Sequence, residues 1–118
     1  MLALLAVAAA VTHCQPASIG PGSLHHGGTV GATCLRAAFQ NGCKPADYTL
    51  SAFGVDTIHS RTFRTQATSG GCRVVVTDSF RVVPQPPRVT IRHTCRRVRA
   101  YVADRCTPAA TISLTTMR

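Results

Sequence analysis

Cysteine is the residue in this chain with the most chemistry open to it. Six occur, at positions 14, 34, 43, 72, 95 and 106, with spacings of 20, 9, 29, 23 and 11. Zinc-binding cysteines usually come in C-x2-C or C-x4-C pairs, and none is present, so no metal site is expected. A catalytic thiol needs a base beside it and an electropositive setting. His59 and His93 are the candidate bases, but both fall in strand-like sequence and no nucleophile signature surrounds any cysteine. Disulfide bridges are the remaining chemistry, and they suit a short chain that leaves the reducing cytosol.

The spacing orders the candidate pairs. Cys95 and Cys106 bracket RRVRAYVADR, and a hairpin turning near residues 99–102 brings them face to face. That pair is expected first, and Cys34–Cys43 second. In an unbroken helix, nine steps would put Cys34 and Cys43 on opposite sides, roughly 13 Å apart along the axis. A bridge wants Cα atoms about 5 to 6 Å apart. A chain reversal at Gly42 brings Cys43 back toward Ala37 or Ala38, so the two can pair if the helix end distorts. Otherwise each is tied to the sheet. Cys72 is then unpaired, or the partner of Cys14.

The other reactive side chains are sparse. Asp47, Asp56, Asp78 and Asp104 are the only carboxylates, and they are too dispersed to offer the convergent pair that acid–base catalysis favours. His25 and His26 adjoin in a loop without further ligands. No catalytic residue, metal or other cofactor is expected. Arginine is the abundant charge: twelve residues, against one lysine and no glutamate, for a formal net charge of +9. Arg88, Arg92, Arg96, Arg97 and Arg99 cluster, and strand alternation can place Arg88 and Arg92, with Arg97 and Arg99, on one face suited to phosphate or carboxylate groups. The expected partner is an anionic ligand or an envelope polymer. Nucleic acid is excluded as a partner, because the six aromatic residues include no Trp and are not interleaved with the arginines.

The N-terminal residues set the expected compartment. Leu2–Val11 is an uninterrupted apolar run of ten residues, too short to span a bilayer but matching the apolar stretch of an export signal. No positively charged leader precedes it. The run AAVTHC looks like the lipobox of bacterial lipoproteins, which would make Cys14 a lipidated N-terminus and the chain's only link to a membrane. His13 departs from that pattern, which wants Gly, Ala or Ser before the cysteine. Residues 1–13 are thus read as an export signal, 14–29 as a flexible Pro/Gly/Ser tether, and 30–118 as one domain. The location is secreted or cell-envelope.

These residues need elements to position them. Leu35, Ala38 and Phe39 recur at helical spacing from Val30 to Gln40, and Asn41-Gly42 stops the helix. Beyond it the period becomes two. Val74, Val76, Phe80 and Val82 share one face, with Arg73, Thr77, Ser79 and Arg81 opposite; Val89, Ile91 and His93 likewise alternate with Arg88, Thr90, Arg92 and Thr94. The expected fold is α+β: one N-terminal helix packed on a curved antiparallel sheet of four to six strands, stapled by disulfides.

The motifs A-x-C-L-x-x-A-F and C-x-P-A (Ala32 to Ala46), GVDT (Gly54–Thr57) and GGC (Gly70–Cys72) resemble a loose group of short exported bacterial proteins containing cysteines. The resemblance implies export and a helix-then-sheet order, and it brings no assigned activity. The helix-and-curved-sheet plan is similar to cystatin-like and NTF2-like folds, which fixes no function. The sequence therefore points to a non-catalytic binding domain with a basic arginine face. A small envelope enzyme and a structural or assembly subunit are the alternatives.

Overall fold

The computed structural model describes residues 10–20 and 25–117. In chain order the elements are β1 (Thr12–His13), β2 (Ala17–Ile19), β3 (His25–His26), α1 (Val30–Gln40), β4 (Ala46–Phe53), β5 (Thr57–Thr68), β6 (Gly71–Val82), β7 (Arg88–Arg99), β8 (Val102–Thr107) and β9 (Ile112–Ser113). The strands form one sheet in the order β3-β2-β4-β5-β6-β7-β8-β9, and β1 also pairs with β4. From β4 to β9 every neighbour is antiparallel, whereas β1 and β2 run parallel to β4.

The α+β expectation is corrected by this architecture. The protein is mostly sheet, nine strands among the described residues rather than four to six, and its helix is a single element of 11 residues. The difference arises at the edge of β4. Its unpaired N–H and C=O groups need partners, and residues read as signal and tether supply them. Thr12 and His13 align with Ala46 and Asp47, and Ala17–Ile19 with Leu50–Ala52. His26 in turn pairs with Ser18. Most of the run expected to be an export signal, residues 1–9, lies outside the described residues.

Helix α1 buries Gly31, Ala32, Leu35 and Ala38 against the inner face of the sheet. There Tyr48, Phe63 and Val76 stand opposite one another across β4, β5 and β6, with the Tyr48 and Phe63 rings 5.6 Å apart. Gly31 is required by this contact, since a Cβ there would collide with Gln15 O and the Tyr48 ring. Burial pushes the Tyr48 phenol up to about 12, and its hydroxyl donates to Leu114 O at 2.8 Å. That bond pins the C-terminal segment over the core, where Leu114 is fully buried.

Past the helix, Gly42 and Cys43 both adopt left-handed backbone, with φ of 84° and 54°. The double turn lets Lys44 N–H reach Ala38 O at 2.9 Å. It also aims Cys43 at β6 and away from α1.

Two substitutions test this packing. Gly31→Ala should destabilise by about 1–3 kcal/mol, because a helix gripped from both sides cannot shift to admit a methyl group. Tyr48→Phe should cost about 1–2 kcal/mol by leaving the buried Leu114 carbonyl without its donor. Urea unfolding followed by circular dichroism measures both.

Candidate ligand-binding face

The disulfides come first, because they fix what each cysteine can do. Cys14 is joined to Cys34, Cys43 to Cys72, and Cys95 to Cys106. Cys95 and Cys106 are direct register partners across β7 and β8, which is the pairing expected from the hairpin. Cys34–Cys43 is corrected. The left-handed turn at Gly42–Cys43 carries the second thiol to the β5–β6 hairpin, and Cys34 on the helix meets Cys14 instead. Cys14 is corrected as a lipidation site: its sulfur is committed to Cys34, and the residue is buried. With all six thiols oxidised, none is a nucleophile or a metal ligand. Three disulfides in so small a protein suggest an oxidising, extracytoplasmic location. Among the described residues no helix is long and apolar enough to cross a membrane.

Three of the four aspartates, Asp47, Asp78 and Asp104, each face a basic side chain. Arg61 donates to both Asp78 oxygens, at 2.8 and 3.2 Å, and also to the Ser113 and Thr116 carbonyls. Arg97 donates to Asp104 through Nε at 2.6 Å and through its terminal nitrogen at 2.5 Å. His13 Nδ1 lies 2.8 Å from Asp47. His93 is buried with Nδ1 against Pro108 O at 2.8 Å, and the exposed His59 packs on the Phe80 ring. Among the described residues no three His, Cys or Asp side chains gather as metal ligands would.

The arginine cluster read from the sequence is dispersed by the fold. Between Asp78 and Ser79 the register of β6 on β7 slips, so Thr77 faces Arg92 while Phe80 faces Arg88. Phe80 and Thr77 alternate to opposite faces, and the bulge therefore sends Arg88 to the inner side and Arg92 to the outer. Arg97 is neutralised by Asp104, its register partner. Arg99 lies exposed beside the β7–β8 turn. Arg92 and Arg96 are the members of the cluster that line depressions on the outer face.

That face gathers residues from four strands. Asp47, Arg64, Val75 and Thr94 form one cross-strand row, and Thr49, Thr62, Thr77 and Arg92 the next. A shallow depression of about 640 Å³ is lined by both rows except Thr49, together with Gln66. A second, of about 490 Å³, continues from Thr94 to Arg73, Arg96 and Thr107. A third, bounded by Arg73, Arg96 and Phe39, lies beside the β5–β6 turn. Arg92 Nε donates to Thr77 Oγ1 at 3.4 Å. Arg64, Arg73 and Arg96 are exposed, and no carboxylate pairs with them among the described residues. Arg64 and Arg73 are far from the cluster in sequence. The signal that reveals them is strand parity with Thr62 and Thr77, readable only once the register is known.

No protein-family model matches the chain, and no curated protein or solved structure matches it. The resemblance to short exported proteins thus rests on its motifs alone.

The Arg97–Asp104 pair gives a pH test. The hydrogen bond from Arg97 holds the Asp104 carboxyl below its usual range. A lowered folded-state value means that stabilisation is present above about pH 4 and fades as pH falls through the lowered value. Asp104→Asn should therefore lower the melting temperature at neutral pH, with the deficit closing in acid. A deficit independent of pH in thermal melts would show that the charge contributes nothing.

Proposed function

We propose that this is an extracytoplasmic protein, secreted or held in the cell envelope, which binds an extended anionic polymer across the outer face of its sheet and performs no chemistry on it. The observation that carries this reading is the set of four arginines, Arg64, Arg73, Arg92 and Arg96, interleaved with threonine hydroxyls along adjoining depressions. Guanidinium groups donate in pairs to carboxylate, phosphate or sulfate oxygens, and hydroxyls donate or accept to suit a polyhydroxylated backbone. The depressions are shallow and run on from one another, which fits a chain laid across strands better than an enclosed small molecule. Asp47, the carboxylate on this face, is engaged by His13.

Export is supported by the apolar run Leu2–Val11 and by the oxidised cysteines. Cleavage of a signal upstream of Thr12 would preserve β1 and the Cys14–Cys34 bridge.

The experiment is retention on immobilised heparin, a sulfated polymer, developed with a salt gradient. Arg64→Ala/Arg92→Ala should elute at clearly lower salt than wild type, because each lost contact reduces the screened attraction. Arg36→Ala/Arg99→Ala removes the same charge at residues that line none of these depressions. Equal loss of retention in both double variants would reduce the effect to net charge and sink the proposal.

A further inference from the structure

The end of the sheet remote from the disulfides carries an unexplained apolar tip. The β4–β5 turn (54–56) and the β6–β7 loop (83–87) lie side by side there, joined by Val83 N–H donating to Asp56 O at 2.9 Å. Phe53, Val82, Val83, Val89 and Ile91 are 42–55% exposed, and Val55 is 96% exposed. Every residue from Val82 to Arg92 is exposed, three prolines of the loop among them. Scattered apolar side chains on a surface need no explanation, but six gathered on two adjoining turns and the strand ends that flank them do.

Their arrangement selects the occupant. Phe53 stands opposite Ile58, which stands opposite Arg81, while Ile91 aligns with Asp78 on the other face of the sheet. The apolar groups thus point to both sides of the sheet and off its end, so no single plane contains them. A folded partner covers one face at a time; a fluid apolar phase surrounds a tip. Cations stand just behind it, with Arg81 opposite Ile58 and Arg88 opposite Phe80. Arg81 Nε is shielded from solvent and has no acceptor among the described residues. Asp56 is the one carboxylate between the two turns, in a chain with a formal charge of +9.

We propose that this tip docks into the interfacial region of an anionic lipid bilayer, with Val55, Val83 and Phe53 entering the acyl boundary and Arg81 and Arg88 meeting lipid phosphates. Apolar insertion plus attraction to anionic headgroups is the general basis of interfacial binding. The route needs neither a spanning helix nor an acyl chain on Cys14. It is independent of the polymer-binding reading, since it uses Arg81 and Arg88 and none of Arg64, Arg73, Arg92 and Arg96.

The test is co-sedimentation of the full chain with vesicles of phosphatidylcholine, with and without phosphatidylglycerol. Wild type should pellet with the anionic vesicles, and Val55→Asp/Val83→Asp should lower its partition about tenfold. Both positions are exposed, so the fold should survive, as circular dichroism will report. Arg64→Ala/Arg92→Ala should still bind vesicles. The chain has no Trp, so Val55→Trp supplies a single reporter whose emission should shift to the blue on anionic vesicles. The proposal is overturned if wild type stays in solution or if the aspartate variant pellets as well as wild type. It is equally overturned if the reporter does not shift, or if the aspartate variant merely converts a dimer to a monomer.

Discussion

A helix rises about 1.5 Å per residue and a strand about 3.3 Å, so α1 and the strands beneath it differ greatly in reach. Eleven helical residues cover about 16 Å; twelve residues in each of β5, β6 and β7 extend about 40 Å. The inner face therefore divides. Under the helix lie Tyr48, Phe63, Val74 and Val76, all sealed from solvent. Beyond the helix the same face must be covered by something else or left open.

The chain does both. The C-terminal segment crosses just past the helix, anchored by the Tyr48 hydroxyl on Leu114 and by Arg61 on Ser113 and Thr116. Arg61 sits where the cover thins, and Asp78 opposite neutralises it at the border of the core. Further out, no described residue crosses, and residues 82–92 are all exposed. All three disulfides lie in the covered half. They join the N-terminal segment to the helix, the helix exit to the β5–β6 hairpin, and β7 to β8. Each such cross-link typically stabilises by about 2–4 kcal/mol, which allows a small core to carry long strands past its own boundary.

What the sequence discloses follows the range of the interaction responsible. Helix α1 is legible because Leu35 and Ala38 mark its stripe and Asn41-Gly42 its end, all within a dozen residues. The Cys95–Cys106 register is legible for the same reason, as a hairpin is local. The Cys14–Cys34 and Cys43–Cys72 bridges depend on β1 finding the edge of β4 and on two successive left-handed residues, and neither has a local signature. Ser18 and Ile19 read as linker because Pro16, Gly20 and Pro21 surround them; an open strand edge recruits them regardless of propensity. Arg88 and Arg92 look like neighbours on one face until a bulge separates them. One residue of register moves a side chain through the sheet, so a surface inferred from alternation fails at the first irregularity.

The outer face poses a subtler question, since threonine and valine there need no ligand to explain them. β-Branched residues favour strands, and hydroxyls keep a solvent-facing strand polar. The arginines have no such explanation. Cross-strand neighbours of a cation gain from carboxylates, yet Arg73 and Arg96 have none, and Asp47, the neighbour of Arg64, is engaged by His13, in a chain that contains no glutamate at all. Like charges sharing one face repel, and the repulsion falls where Cys43–Cys72 and Cys95–Cys106 tie the sheet together. A fold held by covalent bonds can sustain uncompensated positive charge that a noncovalent core of this size would tolerate less well. On the proposed reading, a polyanion laid across the face would relieve this repulsion, and that relief would add to its binding.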